Sequence, residues 1–84
     1  MATPPKTVHL RYYAMLREIC GGDTETRKTM ARTATDLYEE LQREYKIKLP
    51  KVKLKLAIND EFCDWNAELT DGDCVTFLPP VAGG

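Results

Sequence analysis

The residues of this chain that could do chemistry stand together in its last segment, Pro79-Pro80-Val81-Ala82-Gly83-Gly84. Two prolines favour a stiff, extended exit. Val81 and Ala82 are small and the glycines carry no side chain, so the segment can thread a narrow channel and place a terminal carboxylate of Gly84 deep inside another protein. Gly83 also tolerates the backbone conformations that close approach to a nucleotide demands. With glycine at about 7% of average chains, a chance Gly-Gly end is about a 0.5% event. A carboxylate is a poor electrophile, so a working Gly84 must first be activated, most simply as an acyl-adenylate made from ATP by a partner. A sulfur nucleophile could then displace AMP and leave a thiocarboxylate, which can release sulfur to an acceptor. The competing reading of the same residues is a plain flexible terminus.

Nothing else in the chain supplies an obvious nucleophile–base pair. Cys20, Cys63 and Cys74 are odd in number and form no C-x-x-C pair, and His9 is the single histidine, so no metal site is expected. Reduced thiols, packed as small apolar groups or lying at the surface, are the expectation. The formal net charge of −1 leaves no basic excess for phosphate neutralisation, which argues against a nucleic-acid partner. Met1 to Lys6 contains two prolines and no apolar stretch for a signal peptide, and no run could span a bilayer. Residues 1–6 therefore read as a disordered leader and the location as cytoplasmic, with no membrane partner. At 84 residues the rest is one domain, over 7–78, followed by an extended tail over 79–84. A domain this small buries roughly 60–65% of its unfolded surface, leaving little room for a deep pocket of its own.

The elements that must present the tail follow from periodicity. Val8, Leu10 and Tyr12 alternate with His9, Arg11 and Tyr13, the pattern of a half-buried strand. Ala14 to Cys20 reads as a short helical turn with Met15, Leu16 and Ile19 on one side, broken by Gly21-Gly22. Thr24 to Met30 reads as an edge strand. Thr33-Ala34-Thr35-Asp36 begins a capping box, and Ala34, Leu37, Tyr38, Leu41 and Tyr45 then form one apolar stripe of a helix ending near Lys46. Val52, Leu54, Leu56 and Ile58 alternate with Lys51, Lys53, Lys55 and Ala57, the clearest strand signal of all. Asn59-Asp60 is a tight turn into a short strand at Glu61-Phe62-Cys63. Asp71-Gly72-Asp73 turns into a last strand, Cys74 to Leu78, with Val75 and Phe77 inward, and Pro79-Pro80 ends the pairing. A mixed sheet crossed by one main helix is an α+β arrangement. Parallel pairing of the first and last strands at its centre would make it a β-grasp.

These residues resemble the small, sulfur-carrier subunits of molybdopterin synthase, a ubiquitin-like β-grasp family. The likeness runs from Val8 to Gly84 and is sharpest at Leu69-Thr70-Asp71-Gly72-Asp73, the strand after it, and Pro79 to Gly84. Tyr12-Tyr13-Ala14 with Leu16-Arg17-Glu18, and Ala57-Ile58-Asn59, also match the family. The resemblance implies that an ATP-dependent, ubiquitin-activating-like enzyme adenylates Gly84, with ATP used there and no cofactor held permanently by this chain. A sulfur donor such as a persulfide sulfurtransferase then makes the thiocarboxylate. The tail (Pro79, Pro80, Val81, Ala82, Gly83) inserts into the large synthase subunit, which carries the catalytic residues, and sulfur passes to cyclic pyranopterin monophosphate. Two carriers are consumed per dithiolene, in an assembly of two small and two large subunits. A sulfur carrier for thiazole, tRNA thiolation or cysteine synthesis, a ubiquitin-like modifier, and a plain interaction domain are the alternatives.

The family's partner-facing patch falls on Tyr13, Phe62 and Leu78. Strand parity independently turns Tyr13 away from Leu10 and Tyr12, and Leu78 away from Phe77. Three exposed apolar side chains would make a docking patch; the other reading is a second small core under the loops. Two segments depart from the family pattern: Thr24 to Met30 carries Arg27 and Lys28, and Cys63-Asp64-Trp65-Asn66 holds a tryptophan that is either an extra contact or a loop packed on the sheet. From Leu56 onward there are six acidic residues (Asp60, Glu61, Asp64, Glu68, Asp71, Asp73) and no Lys or Arg. An acidic surface around the tail, steering it toward basic grooves, or an ordinary solvated face, are both consistent with that bias.

Overall fold

The computed structural model describes residues 4–79. Five strands and two helices follow in the order β1 (Lys6–Tyr12), α1 (Met15–Cys20), β2 (Thr24–Thr29), α2 (Ala34–Tyr45), β3 (Lys55–Ile58), β4 (Glu61–Phe62) and β5 (Cys74–Leu78). The sheet order is β2-β1-β5-β3-β4. β1 runs parallel to β5, with Leu10 opposite Val75 and Tyr12 opposite Phe77. The other neighbours are antiparallel. First and last strands thus meet inside the sheet beneath one main helix, which is the expected β-grasp.

One face of the sheet is covered because its parity is apolar. Val8, Leu10, Tyr12, Leu56, Val75 and Phe77 are buried there with Ala34, Leu37, Tyr38 and Leu41 of α2. The Tyr38 and Phe77 rings lie 5.4 Å apart, tying helix to central strand. The helix starts where its capping box predicts: the Asp36 N–H donates to the Thr33 hydroxyl at 3.2 Å, and the Thr33 N–H donates to the Asp36 carboxylate at 3.3 Å. It ends at Lys46, which takes the left-handed conformation at φ 57°.

Two expectations need correction. In α1 only Leu16 is buried; Met15 and Ile19 are exposed, because the helix is six residues long and offers the core a single turn. The second concerns residues 51–58. Lys51–Lys53 is a 3-10 turn, the strand begins only at Lys55, and Val52 is 81% exposed. The reason lies in the partner strand. Lys55 pairs with Leu78, the last residue of β5, and the next residue is Pro79, whose missing N–H cannot extend the ladder. Alternation alone cannot make a strand where no partner continues.

Trp65 resolves in favour of packing. Its ring stacks on Phe77 at 5.7 Å and 7° and meets Tyr38 at 5.4 Å. Its carbonyl accepts from the Thr35 N–H and hydroxyl at 3.0 and 2.9 Å, pinning the start of α2.

Candidate functional site

The point at which the chain leaves the sheet, at Pro79, is set by how β5 is seated, and β5 is seated by the turn before it. Gly72 adopts φ 91°, a conformation that suits glycine, and its N–H donates to the Thr7 carbonyl at 2.7 Å. The Asp71 carboxylate accepts from the Thr7 N–H at 2.7 Å. The Asp73 carboxylate accepts from the Thr70 N–H at 2.8 Å and from the Asn59 side chain at 3.0 Å. Asn59 in turn accepts from the Cys74 N–H at 2.9 Å. Asn59 and Asp60 both have positive φ, 54° and 70°, as a tight β3–β4 turn demands. The Thr-Asp-Gly-Asp motif therefore locks β5 against the start of β1 and against that turn. Register at one end of a five-residue strand fixes what leaves the other end.

What leaves is Leu78 and then Pro79. Pro80, Val81, Ala82, Gly83 and Gly84 lie outside the described residues. Leu78 and Phe62 both face away from α2. Phe62 stands opposite Ala57 and is 70% exposed; Leu78 stands opposite Lys55 and is half-buried. With Pro79 and Val52 they line a groove of about 520 Å³ that also takes in Lys53 and Lys55. Tyr13 is exposed too, but it lines a separate cleft of about 300 Å³ with Arg11, Arg17 and Asp23. The structure thus joins two of the three predicted patch residues and sets the third apart. Tyr13 and Phe62 are at the surface and do not fill a second core.

Val52, Lys53 and Lys55 join this site through the fold and not through the strand pattern. Their signal is the alternating Lys-Val-Lys-Leu-Lys run, whose first three residues form a 3-10 turn that leaves Val52 exposed. Lys55 holds its ammonium 5.8 Å from the centre of the Phe62 ring. Of the six acidic residues after Leu56, Asp64 stands near the exit, in a cavity that it shares with Lys55 and Phe62, whereas four lie at the far end of the sheet. Asp71 and Asp73 precede β5, at the end of the strand opposite Leu78, and Asp60 and Glu61 flank the β3–β4 turn on that same side. The sequence bias toward acid in residues 56–84 follows chain order, whereas the lysines reach the exit from the adjoining segment 51–55.

The thiols are free and half-buried. Burial pushes the Cys20 and Cys63 thiols up, so both are held as weak nucleophiles. Among the described residues no three His, Cys, Asp or Glu side chains are placed to hold a metal ion. Nor is any helix there long and apolar enough to cross a membrane.

Known proteins of this build are similar along nearly the whole chain. The molybdopterin synthase sulfur carrier subunit of Mycobacterium tuberculosis is 31% identical over 81 residues, covering 92% of this chain and 96% of that one. In solved structures, the Haloferax volcanii HVO 2177 protein superposes with a TM-score of 0.79 at 26% identity, over 100% of this chain and 92% of that one. A chain in the complex of subunits 1 and 2 of molybdopterin-converting factor from Helicobacter pylori superposes with a TM-score of 0.64 at 30% identity, over 93% and 99%. The family model described as ThiS family matches residues 10–84, from the first core strand through the glycine pair, and this chain belongs to that family.

Proposed function

We propose that this chain is the sulfur carrier of a molybdopterin synthase, a non-catalytic subunit whose Gly84 bears the sulfur. The observation that carries the reading is the ThiS family match reaching through Gly83-Gly84, on a fold whose central strand delivers Pro79 to an exposed apolar groove. The likeness to a sulfur carrier subunit of that synthase, and to a chain solved in complex with its second subunit, supports the choice of pathway.

In this reading the Gly84 carboxylate attacks the α-phosphate of ATP in an activating enzyme, releasing pyrophosphate and leaving an acyl-adenylate. A persulfide donor then displaces AMP to form an acyl disulfide, and a second thiol cleaves its S–S bond, leaving the thiocarboxylate on Gly84 and a disulfide on the donor. The tail enters the large subunit, whose residues catalyse attack of the thiocarboxylate sulfur on cyclic pyranopterin monophosphate, and water then hydrolyses the acyl–sulfur bond, leaving the sulfur on the acceptor and returning Gly84 to a carboxylate. Two such deliveries complete one dithiolene. This chain contributes presentation: a rigid sheet, a seated β5, and an exit with docking surface beside it at Phe62 and Leu78.

The test is reconstitution with the large subunit after thiocarboxylation. Intact mass should show one oxygen of the C-terminus replaced by sulfur, and the loaded chain should support dithiolene formation that a chain lacking Gly84 does not. Isopeptide adducts on lysines would instead make it a protein modifier. A verified thiocarboxylate that fails here and serves thiazole, tRNA or cysteine synthesis would move it to another pathway.

A further inference from the structure

The groove beside the tail exit has an uneven chemistry. Its floor and walls are apolar, from Val52, Phe62, Leu78 and Pro79, and its charged members are both cationic, Lys53 and Lys55; the nearest carboxylate, Asp64, lines the adjoining cavity on the far side of Phe62 and Lys55. Among the described residues neither lysine takes part in an ion pair. Val52 is 81% exposed and Phe62 70%, the two most exposed large apolar side chains described. Leaving such side chains in water is unfavourable at about 25 cal/mol per Å² of apolar surface, and covering them recovers it.

Pro79 decides what covers them. It is a wall of the groove and also the residue from which the tail departs. A protein that takes in the tail up to Pro79 is thereby brought against the groove. Lysines at the edge of an apolar patch, once partly desolvated, need anionic partners or they oppose docking. We infer that the partner receiving the tail presents to this groove an apolar ridge edged with Asp or Glu carboxylates, which meet Lys53 and Lys55. This rests on the sulfur-carrier reading and adds the chemistry of the matching surface, with a sign opposite to the one that the acidic composition of residues 56–84 implies. The apolar contact supplies hold and the lysines supply approach. Rim charges act chiefly on the association rate, and buried apolar anchors on the dissociation rate.

The experiment follows binding of the full chain to the cognate large subunit at low and high ionic strength. Wild-type association should slow as salt rises. Lys53→Glu with Lys55→Glu should slow it by about tenfold or more at low salt, the paired Lys→Gln variant should fall between, and the paired Lys→Arg variant should match wild type. Val52→Asp should speed dissociation by about tenfold without slowing folding, because Val52 is already in water. Lys28→Glu, on the far edge strand β2, should change nothing. A paired charge reversal that associates as fast as wild type, or a wild-type rate that rises with salt, overturns the acidic ridge and leaves the sulfur-carrier reading standing. A wild-type chain that does not bind the large subunit at all removes that reading, and the inference with it.

Discussion

Arg27 is the residue at which sequence pattern and structure part most usefully. It interrupts β2 with a cation, yet its side chain is only 9% exposed. The guanidinium meets the Glu25, Glu40 and Glu44 carboxylates at 2.8, 2.6 and 2.5 Å, so one edge-strand residue ties the sheet to two turns of α2. Tyr12 and Tyr45 hydroxyls both donate to Glu25 at 2.7 Å. Burial pushes the Glu25 carboxyl up, but the bonds from Tyr12, Tyr45 and Arg27 outweigh it and hold it below the usual carboxylate range. Its hydrogen bond to Glu25 pushes the Tyr45 phenol up to about 12, with burial adding to it. Arg27→Met strands three carboxylates around an apolar stem. The loss is about 2–4 kcal/mol at neutral pH, less than for a fully buried pair because the glutamates are partly exposed. The sign with pH follows from the depressed Glu25 value. Its contribution is present above the unfolded glutamate range of about 4.3 and vanishes as pH falls through the folded value. Denaturant midpoints measured against pH should show wild type and Arg27→Met converging in acid; a constant gap would mean that Arg27 stabilises by packing alone.

At the scale of elements, the turn over Thr70–Asp73 has the largest functional reach, because it sets the register of the strand that carries the tail. Asp73→Ala removes the acceptors of the Thr70 N–H and of the Asn59 side chain together. The expected cost is about 1–3 kcal/mol, read by chemical denaturation, with amide exchange rising at Thr70 and Cys74 before other strand positions. These elements also show what sequence can and cannot carry. β1, β5 and α2 were legible because each has a clean period and its own end signals: the Thr33–Asp36 box, the Asp-Gly turn, the proline after Leu78. Residues 51–54 were not, because a strand is a property of a pair and the partner stops at Pro79. Tyr13 and Phe62 were legible as outward by parity, and parity says nothing of which outward residues share a groove. The lysines at the exit are illegible in sequence for the same reason: a charge tally along the chain ignores the folding of β3 beside β5.

For the molecule as a whole, the described core closes before the segment to which the proposed function assigns the sulfur. Among the described residues the core runs from Val8 to Phe77, and the central pair joins the first strand to the last. β5 pairs with both β1 and β3, so the sheet closes only when residues 74–78 join it, and long-range pairing of this kind slows folding. Removing residues 80–84 should abolish sulfur carriage and leave unfolding free energy within about 0.5 kcal/mol of wild type, since no member of the described core is lost. Ending the chain at Thr76 is a different matter. It deletes Phe77, fully buried against Trp65 and Tyr38, and Leu78, the partner of Lys55. Loss of a buried phenylalanine alone costs about 3–5 kcal/mol, against roughly 4–13 kcal/mol for a domain of 84 residues. Thermal and denaturant unfolding of the two truncations should therefore diverge sharply, the first cooperative like wild type and the second largely unfolded. Were the shorter deletion also to unfold the chain, the tail would belong to the scaffold, and a terminus that must leave its own fold to enter a partner could not be spent and restored as a carrier requires.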